Sequence, residues 1–324
     1  MKKVQTIRSF GKLKLLADAH RLDILRLLMA APATLTTLAR TMNHSPAWVR
    51  HHILALGLAD LIEVSEIRKT GKVTEKFYRA KADALLLQEI ILPKTKTPTV
   101  IFSGSDDPAL PGIAERLQKH VNLLSLPVGS LDGLVNLRQR LCQISGAHLL
   151  DESGEYNTPF IRHLFPDRAV ELVTLAYRTQ GLMLAAGNPH RIKNISEVAR
   201  PGVRFVNRNP GSGTRLWMDA ELQKVGIPVD RINGYDNSVN THRAAAARIA
   251  NCKADAALGL QTAAHQYHLD FIPLFEERYD LVLPRENKKV LLPLLDYLQT
   301  AEFRSDLHAL TGYNTTHSGA RISL

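Results

Sequence analysis

Three short segments of this sequence put glycine and hydroxyl side chains where an apolar, β-rich run gives way to the next element. Phe102-Ser103-Gly104-Ser105-Asp106 follows the run Val100-Ile101-Phe102. Val128-Gly129-Ser130 precedes a helically patterned stretch with Leu131, Leu134 and Val135 inside. Asn207-Arg208-Asn209-Pro210-Gly211-Ser212-Gly213-Thr214-Arg215 lies between a β-like and a helical run. Glycine lets backbone approach a ligand, serine and threonine donate hydroxyls, and a helix N-terminus presents free N–H groups at its positive pole. Together they describe a cradle for an oxyanion, with Ser103, Ser105, Ser130, Ser212, Gly213 and Thr214 as its walls. Arg208 adds a fixed positive charge whose guanidinium fork suits a tetrahedral anion. Any one such loop reads equally as an ordinary turn; three together favour the cradle. Several charge-assisted hydrogen bonds of about 1.5–3 kcal/mol each would hold a divalent anion without any catalytic group.

The local signatures of catalysis are missing. No H-E-x-x-H, no lysine after a phosphate loop and no G-x-S-x-G elbow occurs, and Leu216 stands where a dinucleotide fingerprint needs its third glycine. The expectation is a binding protein rather than an enzyme, with no catalytic residue and no cofactor.

The elements that must position these loops alternate. β-like runs at 100–102, 123–126, 147–150, 170–173, 182–185, 203–206 and 256–258 are separated by helical ones, which predicts an α/β fold with mainly parallel sheets and a ligand beyond the carboxyl ends of the strands. The first 98 residues are different: they carry 17 Lys and Arg against 8 Asp and Glu, whereas the rest of the chain is close to neutral at 24 against 23. A basic segment of this kind suits a polyanion. Within it, Leu35, Leu38, Ala39 and Met42 share one helical face, Asn43-His44 breaks the pattern, and Ser45-Pro46 caps and opens a second helix. An inward stripe of Val49, Ile53 and Leu56 puts Ala47, Arg50 and His51 on the opposite side. Two β-like runs flank the basic loop Arg68-Lys69-Thr70-Gly71-Lys72, the pattern of a wing. Leu85 to Ile91 reads as helical, and Leu92-Pro93-Lys94-Thr95-Lys96-Thr97-Pro98 as a linker. The predicted organisation is therefore a DNA-binding domain at 1–92, a linker at 93–98 and a ligand domain at 99–324.

Two resemblances sharpen this. Leu16-Ala17-Asp18-Ala19-His20-Arg21-Leu22-Asp23-Ile24-Leu25 and Ser45-Pro46-Ala47-Trp48-Val49-Arg50-His51-His52-Ile53, in that order before a basic wing, make the first segment similar to the ArsR-like winged helix-turn-helix family. The resemblance implies contact with double-stranded operator DNA through Ser45, Ala47, Arg50, His51, Lys69 and Lys72, and a two-fold site calls for a homodimer. The family's cysteine metal ligands are absent from this segment, so metal sensing there is not expected. Trp48 and Leu54 occupy positions usually polar on such a helix and read as packing or as a subunit contact.

The second resemblance runs from about residue 99 to 315. Gly104-Ser105-Asp106-Asp107-Pro108-Ala109-Leu110, Gly129-Ser130-Leu131-Asp132-Gly133-Leu134, Glu155-Tyr156-Asn157-Thr158-Pro159-Phe160, Tyr177-Arg178-Thr179-Gln180-Gly181-Leu182 and Arg208 to Thr214 are among the stretches that resemble periplasmic-binding-protein-like ligand domains of bacterial and archaeal regulators, also fused to some molybdopterin-biosynthesis proteins. That family implies two α/β lobes joined by crossing strands, with molybdate or tungstate in the cleft. By family position His148, Asn157 and His242 are cleft residues, with structural hydrogen bonding as the alternative. Arg178, in a crossing strand, reads as a ligand contact or a hinge salt bridge. Asp106 stands where the family often has histidine, and a carboxylate there repels a dianion unless it accepts a ligand proton or caps its own helix.

The whole-chain expectation is a ligand-responsive transcription regulator. A regulator sensing an organic metabolite and a molybdenum-cofactor-pathway protein are the alternatives. The chain lacks an uninterrupted apolar run long enough for a membrane span, and its start lacks the apolar core of a signal peptide. Two distant cysteines, Cys142 and Cys252, cannot build a disulfide framework. His265 and His268, spaced for one helical face, have no further obvious ligand near them, so no metal site is assigned. A cytoplasmic location without membrane contact is the corresponding expectation.

Overall fold

The computed structural model describes residues 4–71 and 73–324, which divide into two units, 1–91 and 92–324. In the first, β1 (Val4–Ile7) leads into α1 (Phe10–Leu16), α2 (Ala19–Ala30), α3 (Leu35–Met42) and α4 (Pro46–Leu58). The hairpin of β2 (Ile62–Thr70) and β3 (Val73–Ala80) follows, then β4 (Ala84–Leu87). Three helices start on side-chain caps: Asp18, Thr34 and Ser45 accept from the backbone N–H of Arg21, Thr37 and Trp48. Asn43, in the left-handed region at φ 55°, stops α3, and Pro46 opens α4 without needing a backbone donor. Val49, Ile53 and Leu56 of α4 are buried in one core with Leu38 and Ala39 of α3 and Ile24, Leu25 and Leu28 of α2. Each of the valine, leucine and isoleucine side chains contributes about 1.5–3 kcal/mol by leaving water.

The helical reading of Leu85 to Ile91 is corrected. Residues 84–87 form a strand parallel to β1, in register from Val4 opposite Ala84 to Ile7 opposite Leu87, and the Gln88 N–H extends the ladder to the Ile7 carbonyl. Three consecutive leucines have no period that separates strand from helix; the free edge of β1 decides the outcome.

The second unit runs β5 (Thr99–Gly104), α5 (Leu110–Leu117), β6 (Asn122–Pro127), α6 (Ser130–Arg138), β7 (Ile144–Ala147) and α7 (Thr158–Leu164), then the long β8 (Val170–Leu184). After it come β9 (Phe205–Arg208), α8 (Gly213–Lys224), β10 (Ser238–Val239), α9 (His242–Ala250), β11 (Ala256–Leu260), α10 (Gln261–Gln266) and the equally long β12 (Asp270–Pro284). The chain ends with α11 (Lys288–Tyr297), α12 (Ala301–His308), β13 (Tyr313–Asn314) and β14 (Arg321–Ser323). The sheet order is β10-β9-β11-β8-β12-β7-β5-β6, with β13 and β14 also on β8. β5, β6 and β7 are parallel, as are β9, β10 and β11, but β8 and β12 pair antiparallel along their length. The mainly parallel expectation therefore holds within each lobe and fails at the centre. The apolar runs at 170–173 and 182–185 belong to one 15-residue strand, and the run at 147–150 leaves its strand after Ala147.

Period-two alternation splits each lobe into two cores, one per sheet face. Val100, Phe102, Leu281 and Leu283 pack with α5, α11 and α12, while Ile101, Leu172 and Val282 pack with α6 and α7. In the other lobe Leu182, Leu184, Phe205, Ala256 and Leu258 face α8, and Met183, Val206 and Ala257 face α9 and α10. Helices thus cover both faces, and the strand ends are left for the loops. Among the described residues, no helix is long and apolar enough to cross a membrane, and no group of three or more His, Cys, Asp or Glu is placed to hold a metal ion.

Candidate functional site

The first lobe brings its loops together through close backbone packing. Gly104, at the end of β5, lies so near β7 that a Cβ would stand 2.4 Å from the Gly146 carbonyl oxygen, which excludes every other residue type there. The next residue, Ser105, donates its backbone N–H to that carbonyl, and its hydroxyl lies 2.9 Å from His148 Nε2. His148 in turn donates its backbone N–H to the Ser130 hydroxyl at 3.2 Å, on the first residue of α6. Ser103 Oγ accepts from Asn136 Nδ2, also on α6. All four predicted residues are buried.

The second lobe supplies the opposite wall. Ser212 caps α8 by accepting from the Arg215 N–H, and Thr214 Oγ1 accepts from Gln180 Nε2 at 3.0 Å. The two walls touch. The Leu131 N–H of α6 donates to the Gly211 carbonyl, Asn209 Nδ2 donates to the Val128 carbonyl, and a Cβ on Gly213 would come within 2.4 Å of the His148 carbonyl oxygen. The lobes are closed on each other at these loops.

Between them, the crossing strands carry a buried charge network. Arg178 on β8 faces Glu277 on β12 across the ladder and bonds both Glu277 Oε1 and, at 2.5 Å, Asp107 Oδ2. Its guanidinium stacks over Tyr279, and the Tyr313 hydroxyl donates to Asp107. Burial pushes the Glu277 carboxyl up, but Arg178 and then His148 outweigh it and bring the group down to about 2. Glu277 Oε2 accepts from Gln180 Nε2 at 2.6 Å. It also lies 2.6 Å from His148 Nδ1. Burial lowers the His148 pKa, with Glu277 opposing.

Arg208 is the exception to this pairing. It is 1% exposed, yet only Nη2 has a partner, the Asn240 carbonyl at 2.9 Å; Nε and Nη1 have none among the described residues. Burial brings its pKa down to about 10, with Asp106 opposing and the Arg178 charge adding to the fall. His242, the first residue of α9, is fully buried with neither ring nitrogen bonded among the described residues, and burial beside Arg208 and Arg178 drives its pKa well down. Burial and then Asp107 raise the Asp106 carboxyl, against the pull of Arg208.

Of the remaining cleft candidates, Asn157 makes the structural hydrogen bonds that are its alternative reading. Its carbonyl oxygen accepts from the Leu149 N–H, and its amide donates to the Ala147 carbonyl and Asp280, so no donor is left over. For Arg178 the hinge salt bridge is the arrangement found, although its Nε stays unbonded among the described residues. Gln180, Glu277 and Asp107 are not singled out by the sequence; for Gln180 and Glu277 the signal available was a charged or amide residue within a strand, whereas Asp107 lies in the loop between β5 and α5. In the first unit, Ala47, Arg50 and His51 are exposed on α4, and Lys69 is exposed on β2. The Ser45 hydroxyl is occupied as the α4 cap. Lys72 lies outside the described residues. Trp48 is packed, stacking on His44 at 3.8 Å, whereas Leu54 is exposed. His265 and His268 are exposed as well.

Comparison with known proteins places this architecture. An uncharacterized protein of Bacillus subtilis, YvgK, is 33% identical over 228 residues, covering 69% of this chain and 74% of its own. The sulfate-binding protein SubI of Mycobacterium tuberculosis shares the fold at 12% identity and a TM-score of 0.52, over 68% of this chain and 86% of its own. The tungstate ABC transporter structure from Geobacter sulfurreducens aligns at 13% identity and a TM-score of 0.48, over 65% and 98%. Residues 113–299, more than half of the chain, match the PBP superfamily domain, and the chain belongs to that family.

Proposed function

We propose that this protein is a ligand-responsive transcription regulator: its cleft binds a small oxyanion, and its N-terminal unit, a winged helix-turn-helix, binds operator DNA. The observation that carries the ligand half is Arg208, a buried cation whose Nε and Nη1 have no hydrogen-bond partner among the described residues. Leaving such a charge without a counter-charge bonded to it costs several kcal/mol, and an anion there removes the cost. Ser105, Ser130 and Thr214 stand on the same touching loops. Molybdate and tungstate, which the sequence resemblance implied, are the first anions to try, and the sulfate bound by the structural relative SubI is a third.

The DNA half rests on α3, the turn at Asn43 and α4, with Ala47, Arg50 and His51 on the exposed side of α4. Small and cationic residues on the outer face of a second helix suit a major groove. A two-fold operator requires a homodimer, and DNA as partner puts the protein in the cytoplasm. An anion bound between lobes favours the closed form, and that difference in affinity is what can shift DNA binding.

The test is to select duplexes from a random pool with the full chain, then titrate the selected duplex with and without each anion. Operator affinity should change by about 5- to 150-fold in the presence of the anion that binds. Equal DNA affinities for an anion shown by calorimetry to bind would end the regulatory reading, and failure to select any duplex would end the DNA reading.

A further inference from the structure

Beyond ligand binding, we propose that the cleft carries a hydrolase activity: Ser105, His148 and Glu277 form a serine–histidine–carboxylate relay in which Ser105 attacks a small ester that bears an anionic group. The three side chains are buried and adjoin in series. Ser105 Oγ is 2.9 Å from His148 Nε2, and His148 Nδ1 is 2.6 Å from Glu277 Oε2. A hydroxyl within reach of an imidazole whose other nitrogen meets a carboxylate is the arrangement that activates serine on unrelated folds. The relay draws on the residue after β5, the residue after β7 and the middle of β12, so no local motif announces it.

The carboxylate end fixes the hydrogens along this relay. Against the upward push of burial, Arg178 and His148 bring the Glu277 carboxyl down to about 2, so it is ionised at neutral pH. Burial lowers the His148 pKa despite Glu277, which keeps the ring neutral, with one N–H and one bare nitrogen. A carboxylate oxygen at 2.6 Å cannot face the bare nitrogen, because two sets of lone pairs would meet. His148 therefore carries its hydrogen on Nδ1. Its Nε2 can only accept, and the Ser105 hydroxyl donates to it. That is the polarity in which an imidazole acts as a general base toward serine.

Ser105 and His148 ride on one lobe, where their backbone N–H groups donate to the Gly146 carbonyl and the Ser130 hydroxyl. The pair stays intact when the lobes part, and an ester enters then. Against the same imidazole lies Gly213, the first residue of α8, where a Cβ would come within 2.7 Å of Nδ1 and 2.8 Å of Cε1. The positive pole of that helix and the Arg208 charge, which is felt at His148 and at Asp106 beside Ser105, favour an anionic substrate and the charge that develops on its acyl oxygen. In the first step the bond from Ser105 Oγ to the acyl carbon forms as the serine proton passes to His148 Nε2; the ester carbon–oxygen bond breaks, and the departing alcohol takes that proton. Water then adds to the acyl-serine through the same base, Ser105 Oγ regains a proton, and the acid leaves.

Nitrophenolate release by the full-length protein from mono-p-nitrophenyl succinate and from p-nitrophenyl acetate, with peptide mapping of the acylated residue, tests this. The succinate ester should turn over faster than the acetate, the adduct should sit on Ser105, and Ser105→Ala should remove both release and adduct. His148→Gln should slow release by about a hundredfold or more. Glu277→Gln should shift the acid limb of the pH–rate profile to lower pH, because burial then depresses the His148 pKa with no carboxylate opposing it. Each variant is first checked for a wild-type melting profile; if none folds, the adduct on the wild type decides. Release no faster than in buffer, an adduct on another residue, or release unchanged in folded Ser105→Ala overturns the inference, and the anion reading keeps its own calorimetric test. Equal turnover of the two esters overturns the anionic class, and an unmoved acid limb in folded Glu277→Gln removes Glu277 from the relay.

Discussion

The outer face of α4 with the β2–β3 hairpin and the closed cleft both gather cations, in opposite surroundings. Arg50 and Lys69 stand in solvent, where attraction to a polyanion is long-ranged, additive and screened beyond roughly 8–10 Å at ordinary salt. Arg208 is sealed between two lobes, where a charge pair at about 4 Å is worth several times its value in water. The exposed face also pairs part of its own charge: Arg68 with Glu66, Arg79 with Glu63 and Lys81 with Asp60. The cleft pairs Arg178 twice over and leaves Arg208 open. Toward a polyanion, the first arrangement would collect many weak contacts that tolerate substitution. Toward a small anion, the other would concentrate affinity in one residue that does not.

That contrast breaks first at Arg208. Arg208→Met should remove anion binding altogether, since it takes away two charge-assisted hydrogen bonds of about 1.5–3 kcal/mol each, more than a hundredfold in affinity. Calorimetry reads this directly. The ligand-free variant should melt no lower than the wild type, because the side chain removed was buried without full hydrogen bonding. Retained binding would move the ligand elsewhere.

Glu277→Gln attacks stability instead. It strips a counter-charge from the fully buried Arg178, and breaking a buried pair on one side costs about 3–5 kcal/mol, measurable by denaturant unfolding. The sign of the pH dependence follows from the depressed carboxyl. A group held below its ordinary value stabilises the fold above that value and ceases to do so as pH falls through the folded one. The wild type should therefore lose stability between about pH 4.5 and about pH 2, and the variant should lose less over that range.

Glycines separate the two regions by a smaller margin. Gly213→Ala puts a methyl 2.4 Å from the His148 carbonyl, so the lobes cannot approach as they do, and anion affinity should fall about tenfold or more through a cost of about 1–3 kcal/mol. Gly57 on α4 has open space at its Cβ position, and Gly57→Ala should raise stability by about 0.5–1 kcal/mol by improving the helix. Equal effects of the two substitutions on anion binding would contradict the packing of Gly213.

What could be read in advance follows the range of the interactions. The caps at Thr34 and Ser45, the break at Asn43 and the buried stripe of α4 are set within a few residues, so their spacing reveals them. The glycine and serine loops at strand ends are equally local. Gln180 and Glu277 meet across 97 positions of sequence, and their partnership depends on the β8/β12 register. Asn157 is spent on Asp280, 123 positions away, a pairing that no local pattern announces. The strand at Ala84–Leu87 exists because β1, some 80 positions earlier, offers an edge.

The finest distinction lies within the exposed face itself. If α4 enters a groove, Arg50→Ala removes a hydrogen bond to a base and should cost about 1–3 kcal/mol on the selected duplex, with far less effect on random DNA. Lys69, on the hairpin strand β2, would have no base to reach in that geometry and would serve the phosphates. Lys69→Ala should weaken selected and random duplexes alike and flatten the plot of log affinity against log salt by about one unit, because one phosphate fewer is neutralised and its counterion stays on the DNA. Anisotropy titrations of both duplexes over a series of salt concentrations separate the two roles. If Arg50→Ala changed only the salt slope, with the selected-to-random ratio intact, α4 would be an electrostatic platform, and sequence reading would have to come from another part of the unit.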